Sequence, residues 1–422
     1  MKTLAVRLVL ASVMAALAPS LFAQLNIPSD GSDGALLIRS NAVVDLSQAV
    51  PGNWSDNNSA NAGKGIYDSN QWAVVFKYSS VLVSNGATLT FLNHPTHAPV
   101  VWLVGGDVTI SSNGALSLDG QTAGYDAPHL AEPGPGGFRG GTGNYAPGVD
   151  RSAGFGPGGG PQTSRRFGNN NDYGGGGSYG TVGTFGPAAY GNPSVIPLIG
   201  GSGGGGYYGD TRGGGGGGGA VLIASAGTLT ISGTVHANGG GSQGGTGGGS
   251  GGGIRLVANS LGGNGVIQCI GGGGSYAGGL GRIRIERVST SGNLQITPDP
   301  SVVPLLAGDT PLIWLPTNGP TATIVSIGGV GAPTDPRASF GTYGPDVTLP
   351  QTNTTVVVVQ TVNAETASVV KVRGAPRANG DFTEVTATLT QTNSLNPLIL
   401  LWTASLPVNN GFSAVQARVI RP

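Results

Sequence analysis

Two histidines three residues apart, His94 and His97 in "NHPTHAP", have the spacing of a metal-ligand pair. A zinc site takes such a pair from one regular element and completes it with Cys, Asp or Glu. Pro95 breaks any helix here, and no Cys, Asp or Glu stands close in sequence, so the pair reads as a solvated corner between strands. "SDGSDG" sets Asp30 and Asp33 where carboxylates and carbonyls could hold calcium loosely, but Asp-Gly is first of all a turn signal. Thr90, Thr109 and Thr230 fall in one outward column, as on ice-binding surfaces, yet three threonines make no extended plane. Cys269, the single cysteine, alternates with polar neighbours in a strand-like stretch and reads as a small buried apolar residue, not a reactive thiol.

Hydrolysis or lyase chemistry on a polysaccharide needs clustered carboxylates, calcium, or an Arg or Lys base. From Thr211 to Ile285 the chain has no Asp or Glu. The remaining acids of the central region, Asp107, Asp119, Asp126, Glu132, Asp150, Asp172 and Asp210, are scattered. Neither a Ser-His-Asp arrangement nor a dinucleotide fingerprint is present, and "GGGSGGG" lacks the lysine and strand-to-helix context of a phosphate loop. No catalytic, cofactor-binding or metal-ligating residue is therefore assigned, and no cofactor is expected. Charged residues make up 9% of the chain, against about 25% in an average globular protein. The 20 basic and 20 acidic residues cancel, so no net field would draw the chain to nucleic acid.

The elements that would position these residues show as internal repeats. "SVLVSNGATLTFLNHP" from Ser80, "VVWLVGGDVTISSNGALSLDG" from Val100, "AVLIASAGTLTISGTVHANGG" from Ala220 and "GIRLVANSLGGNGVIQCIGGGG" from Gly253 align, and "GRIRIERVSTSGNLQI" from Gly281 is a more degenerate copy. Each complete copy reads strand, turn, strand, turn, strand. Short strands recurring in this way predict a glycine-rich right-handed parallel β-solenoid, β-helix-like. Period two puts Leu116, Leu118, Val235, Ala237, Ile267 and Cys269 inside and Ser117, His236 and Gln268 outside. Ile254 and Leu256 match Ile283 and Ile285 as inner residues, with Arg255 and Arg284 pointing outward.

Residues 121–219 interrupt the coils with "AEPGPGGFRGG", "SAGFGPGGG" and "GGSGGGGYYGDTRGGGGGGG". Composition alone suggests a linker. The recurring aromatics Phe138, Phe155, Phe167, Tyr173, Phe185 and Tyr190 argue instead for an ordered excursion whose glycine runs pack side by side in polyproline II conformation. After Pro298 glycine thins and Val and Thr rise. Seven candidate strands, from "PLIWLP" to "SAVQARVI", suggest a C-terminal β-sandwich of the fibronectin III or immunoglobulin class, with "TTVVVVQ" central. The expected divisions are a signal peptide over 1–23, a cap over 24–79, the solenoid over 80–298 and the sandwich over 299–422.

The leader "MKTLAVRLVLASVMAALAPSLFA" carries Lys2 and Arg7, an apolar stretch and small residues ending at Ala23. It has the order of a secretory signal peptide cleaved before Gln24, which implies export and no membrane span after cleavage. An LPxTG-like motif and a lipobox cysteine are absent, and "ARVIRP" is no hydrophobic anchor, so the means of retention stays open. "SDGSDGALLI", "GKGIYDSNQWAVVFKYSSV", "NHPTHAPVVWLV", "GFGPGGG" and "GGLGRIRIERV" together resemble a family of uncharacterised secreted glycine-rich proteins of environmental bacteria. That resemblance carries no activity or ligand. More loosely, the glycine-rich body is similar in composition to polyglycine layers of receptor ectodomains and phage tip adhesins. The expected role is structural or adhesive at the cell surface or in the extracellular matrix, with polysaccharide or other matrix components as partners; the alternative is a carbohydrate-active β-helix that binds or cleaves a polysaccharide. Oligomeric state is left open.

Overall fold

The computed structural model describes residues 24–124, 131–143, 151–162, 164–165, 172–207, 212–337, 344–350, 352–377 and 380–422. The leader 1–23, Asp126, Asp150, Phe167 and Asp210 lie outside them. The described elements are almost all strands; two 3-10 turns, Leu46–Gln48 and Ser59–Asn61, are the helical pieces.

Alternating apolar residues build the first core. In the larger sheet Val74, Val100, Val221, Ile254 and Ile283 are register partners in turn, and so are Phe76, Trp102, Ile223, Leu256 and Ile285. In a six-stranded sheet the ladder is Leu89, Leu116, Val235, Ile267 and Ile296. These columns face one another in a single cluster, joined by Leu118, Ala237 and Cys269. The inner columns expected for the third strand are thus the columns of the structure, with Ser117, His236 and Gln268 paired between them. The copy counted from Ser80 starts one strand late: Val81–Val83 pairs with Val108–Ile110, and its missing first strand lies upstream in Val74–Tyr78. Thr109 and Thr230 are partners, whereas Thr90 pairs with Val43 in the other sheet, so the threonine column does not exist.

The expectation of a regular right-handed β-solenoid followed by a fibronectin III or immunoglobulin-like sandwich is not met. The larger sheet has ten strands and is mixed. Its strand Ile66–Asp68 runs antiparallel to Ala73–Val83, reversed by a turn that ends at Trp72 with φ 46°. Glycine segments, not solenoid corners, lead into three of its strands, at Gly219–Ala220, Gly252–Gly253 and Gly281–Arg282. In the C-terminal part a five-stranded antiparallel sheet and a three-stranded one share a core of Val357, Val359, Val370, Val372, Leu400 and Trp402. Thr354–Val362 is central in the larger of these, as its valines require. "PLIWLP" forms no strand. It crosses instead to the outer face of the ten-stranded sheet, where Ile313 and Trp314 pack on Val101, Leu222 and their neighbours.

The glycine run answers the question that its composition raises. Gly213 to Gly219 are all buried, and none has a φ in the left-handed region. Their N–H groups donate with a period of three: Gly214 and Gly217 to the 138–141 stretch, Gly215 and Gly218 to 247–250, Gly216 and Gly219 to 118–121. A Cβ added to any of the seven would lie under 3.0 Å from a neighbouring backbone atom, again in threes: 131–141 for Gly213, Gly216 and Gly219; 201–204 for Gly214 and Gly217; 237–240 for Gly215 and Gly218. Three residues per turn without internal hydrogen bonds is polyproline II geometry. Glycine serves here for its missing side chain, and the described parts of 121–219 belong to one hydrogen-bonded array with 237–252 and 271–281.

Two outcomes test this account. Val235→Asp buries an unpaired carboxylate and should cost about 3 kcal/mol or more in chemical denaturation. His236 is paired with Asp119 at 2.8 Å, so His236→Ser, which adds no like charge, is the near-silent control. Changing Gly215, Gly217 and Gly219 to alanine should destabilise by roughly 1–3 kcal/mol per site and open the array to protease. Gly273→Ala, where nothing stands within 4 Å, should leave the melting temperature unchanged.

Candidate functional site

The end of the ten-stranded sheet carries a polar cavity of about 380 Å³, lined by Pro51, Gly52, Asn53, Tyr67, Ser69, Asn70, Asp335 and Arg337. Tyr67 sits in the middle of the short buried strand Ile66–Asp68 and donates from its hydroxyl to Asp335 Oδ1 at 2.6 Å. Arg337 holds the other oxygen of Asp335 at 2.8 Å and stands 5.7 Å from the centre of the Tyr67 ring. His94 stacks on that ring with centroids 4.0 Å apart.

The tautomer of His94 follows from its contacts. Its Nδ1 accepts from the Thr96 N–H at 3.2 Å and lies 2.8 Å from the Thr96 hydroxyl, so the ring proton is on Nε2. Burial, helped by Arg337, pulls the His94 pKa down to about 4, and the ring is neutral at pH 7. Burial first, and the hydrogen bond to Asp335 second, push the Tyr67 phenol above the usual tyrosine range. His97 faces away toward Glu132, 3.8 Å off, and burial with Arg139 nearby lowers its pKa to about 3. The two histidines therefore do not converge on a common ligand, and the described residues hold no group of three His, Cys, Asp or Glu able to bind a metal.

The cation place suggested by "SDGSDG" is filled from within. The Lys77 ammonium, 2% exposed, bonds Asp30 Oδ2 at 3.0 Å, the Ser55 carbonyl at 3.2 Å and the Asp56 carbonyl. Asp33 accepts from Asn58, Gly63 N–H and Lys77 N–H. Burial raises the Asp30 pKa, but the hydrogen bonds from Ser32 and Lys77 outweigh it and leave the pKa lowered. Cys269 is fully buried in the core, and burial raises its thiol pKa, as an inert residue requires.

Arg255 points out of the first core but not into water. Only 2% exposed, it bonds Glu286 at 3.0 Å and the carbonyls of Leu312 and Ile313, while Arg284 reaches the same Glu286 oxygen at 3.1 Å. Sequence reasoning missed this cluster because strand alternation marks only the face, and what covers that face comes from about 60 residues downstream. Tyr67 and Asp335 were missed for the same reason, being 268 residues apart.

Asp335, the carboxylate that lines the cavity, accepts from Tyr67 and Arg337; nearby, Asp68 accepts from the N–H groups of Trp54 and Asn70, and Asp56 from that of Asn53. A general base needs a lone pair aimed at substrate. This arrangement offers amides, a hydroxyl and a guanidinium, which suit hydrogen bonding to a hydroxylated ligand. No family model matches the chain, and no curated protein or solved structure matches it either. No helix among the described residues is long and apolar enough to cross a membrane.

Stability should depend on His94 with a definite sign. Its folded pKa, about 4, lies below its ordinary value of 6.5. The neutral form is favoured by folding, so that stability is present above pH 6.5 and lost as pH falls toward 4. The full loss is on the order of 3 kcal/mol. Melting temperature against pH in this window should slope less in His94→Phe than in the parent, whatever the variant's absolute stability.

Proposed function

We propose that the protein is exported and serves a structural or adhesive role at the cell surface or in the extracellular matrix, in contact with polysaccharide or other matrix components. The observation that carries this reading is the glycine array. A body in which the amides of Gly214 to Gly219 each meet a neighbouring stretch is a stiff scaffold, and the hydroxyls buried in it, those of Ser178, Ser202 and Ser250, are engaged in its own hydrogen bonds. The commitment of Asp335, Asp68 and Asp56 to structural hydrogen bonds supports a non-enzymatic role. The leader over residues 1–23 and the resemblance to secreted glycine-rich proteins support export.

Fractionation of the native host into cytoplasm, membranes, surface wash and medium tests the location. The mature chain is expected in the surface wash or matrix with Gln24 at its N-terminus; recovery from cytoplasm with Met1 retained overturns the reading. Incubation with a polysaccharide panel should release no reducing ends or unsaturated products, and release that scales with protein purity would replace the structural role with an enzymatic one.

A further inference from the structure

The C-terminal part carries the charges of its strands on one sheet only. The three-stranded sheet, Val369–Pro376, Thr383–Thr386 and Ser413–Ile420, holds Lys371, Arg373, Glu384 and Arg418. The five strands of the other sheet, Thr321–Ile327, Val330–Gly331, Thr354–Val362, Thr388–Leu395 and Leu398–Pro407, contain no Asp, Glu, Lys or Arg. The charged sheet is the one turned to the glycine array: Arg373 donates to the Gly156 carbonyl, and the Thr142 hydroxyl donates to the Arg377 carbonyl just beyond it. Because the two sheets share one core, the outer face of the uncharged sheet points the opposite way.

Register defines that outer face. Val357, Val359, Leu400 and Trp402 belong to the core, so alternation turns Val356, Val358, Val362, Ile399 and Leu401 outward. The five are contiguous on two paired strands: Val362 is the partner of Ile399, and Leu401 is the partner of Gln360, which lies between Val358 and Val362. None of them is buried, and Val356 is 47% exposed. The flanking strands add Thr321 and Thr323 on one side and Thr388 and Gln391 on the other, in the same rows. An aliphatic centre with an uncharged hydroxyl and amide rim is the composition of an interface, whose core is depleted in charge. The free edge Thr388–Leu395 likewise lacks the charges that usually guard an edge strand.

The face selects its partner by what it lacks. Without cations it offers nothing to an acidic polymer. The one aromatic ring of its five strands, Trp402, lies on the inner side and is 4% exposed, so no ring is available to stack on a sugar. An uncharged face can meet its own copy with aliphatic on aliphatic and hydroxyl on hydroxyl, and no like charges are opposed, as a self-complementary patch across a two-fold axis requires. Four strands spaced about 4.8 Å apart and nine residues at about 3.4 Å each make a face of roughly 20 by 30 Å, on the order of the ~800 Å² a side of a standard interface. We infer that two copies of this chain pair through the outer faces of their five-stranded sheets, centred on Val358 and Leu401. The pairing is independent of the location and role proposed above.

Sedimentation velocity of the protein purified from its host, over roughly 1 to 100 μM, tests it. A concentration-dependent shift from monomer to dimer is expected. Leu401→Lys and Leu401→Glu each oppose like charges across the axis and should raise the dissociation constant about ten-fold or more. An equimolar mixture of the two should restore the dimer, which misfolded variants could not do. Val369→Lys, on the three-stranded sheet, should leave the parent's constant unchanged. If the Leu401 variants fail to fold, Val356→Lys, at the most exposed of the five positions, carries the same test. A chain that stays monomeric throughout overturns the inference, as does a dimer indifferent to Leu401→Lys and Val356→Lys or weakened equally by Val369→Lys. So do folded Lys and Glu variants whose mixture remains monomeric.

Discussion

Backbone amides that meet neighbouring backbones too closely for a Cβ hold the first half of the molecule together. In a sheet each strand has neighbours on two sides only. A polyproline II glycine segment turns its amides and carbonyls in three directions, and Gly213 to Gly219 use them to reach five neighbouring stretches. Glycine loses more conformational entropy on folding than any other residue. An isolated run could not offset that loss; a run whose successive amides are satisfied by ordered neighbours does. The array also feeds the sheets directly, since Gly253 N–H donates to Gly219 and Arg282 N–H to Gly252 across the points where glycine segments become strands. Strand register and array register are therefore one constraint.

Against this neutral scaffold the few buried charges mark where separate pieces of chain are pinned. Lys77 ties the N-terminal turn at Asp30 to the loop carbonyls of Ser55 and Asp56. Arg255, shared with Glu286, fastens the crossing segment at Leu312 and Ile313 to the outer face of the sheet. Arg373 pairs with Glu384 and donates to the Gly156 carbonyl, joining a C-terminal sheet to the array. Each cation satisfies carbonyls as well as a carboxylate, which is how a buried charge avoids its desolvation penalty. Such clusters cost much when broken and specify which segment docks where.

What could be read from the sequence follows the range of the interaction. Period-two alternation is local, so the inner columns through Leu116, Val235 and Ile267 were legible to the residue, as was the central place of the valine strand Thr354–Val362. The overall architecture was not. One reversed turn at Trp72 makes the ten-stranded sheet mixed, and the diversion of Pro311–Pro316 removes a strand that a sandwich would have used. The phase of the Ser80 copy failed because its first strand lies before the repeat becomes visible in sequence. The candidate site was almost wholly illegible: His94 was noticed, but its partners Tyr67 and Asp335 are brought together only by tertiary folding. The motif that looked most like a cation site, Asp30 and Asp33, is occupied by Lys77, which nothing in local spacing links to it.

The few side chains inside the array are spent on its own hydrogen bonds: the Ser178 hydroxyl donates to the Pro187 carbonyl, and the Ser250 hydroxyl bonds both the N–H and the carbonyl of Ser202. Most polar and aromatic side chains of this half sit where the glycine segments stop. At those points the chain regains aromatic, hydroxyl and charged residues, as in Tyr173, Tyr207, Arg212, Ser275 and Tyr276. Changes there leave the hydrogen bonds of the interior untouched, because those bonds run between backbone groups and a few buried hydroxyls such as those of Ser178, Ser202 and Ser250. The fold thus separates stiffness, which comes from positions that accept only glycine, from loop positions that tolerate substitution.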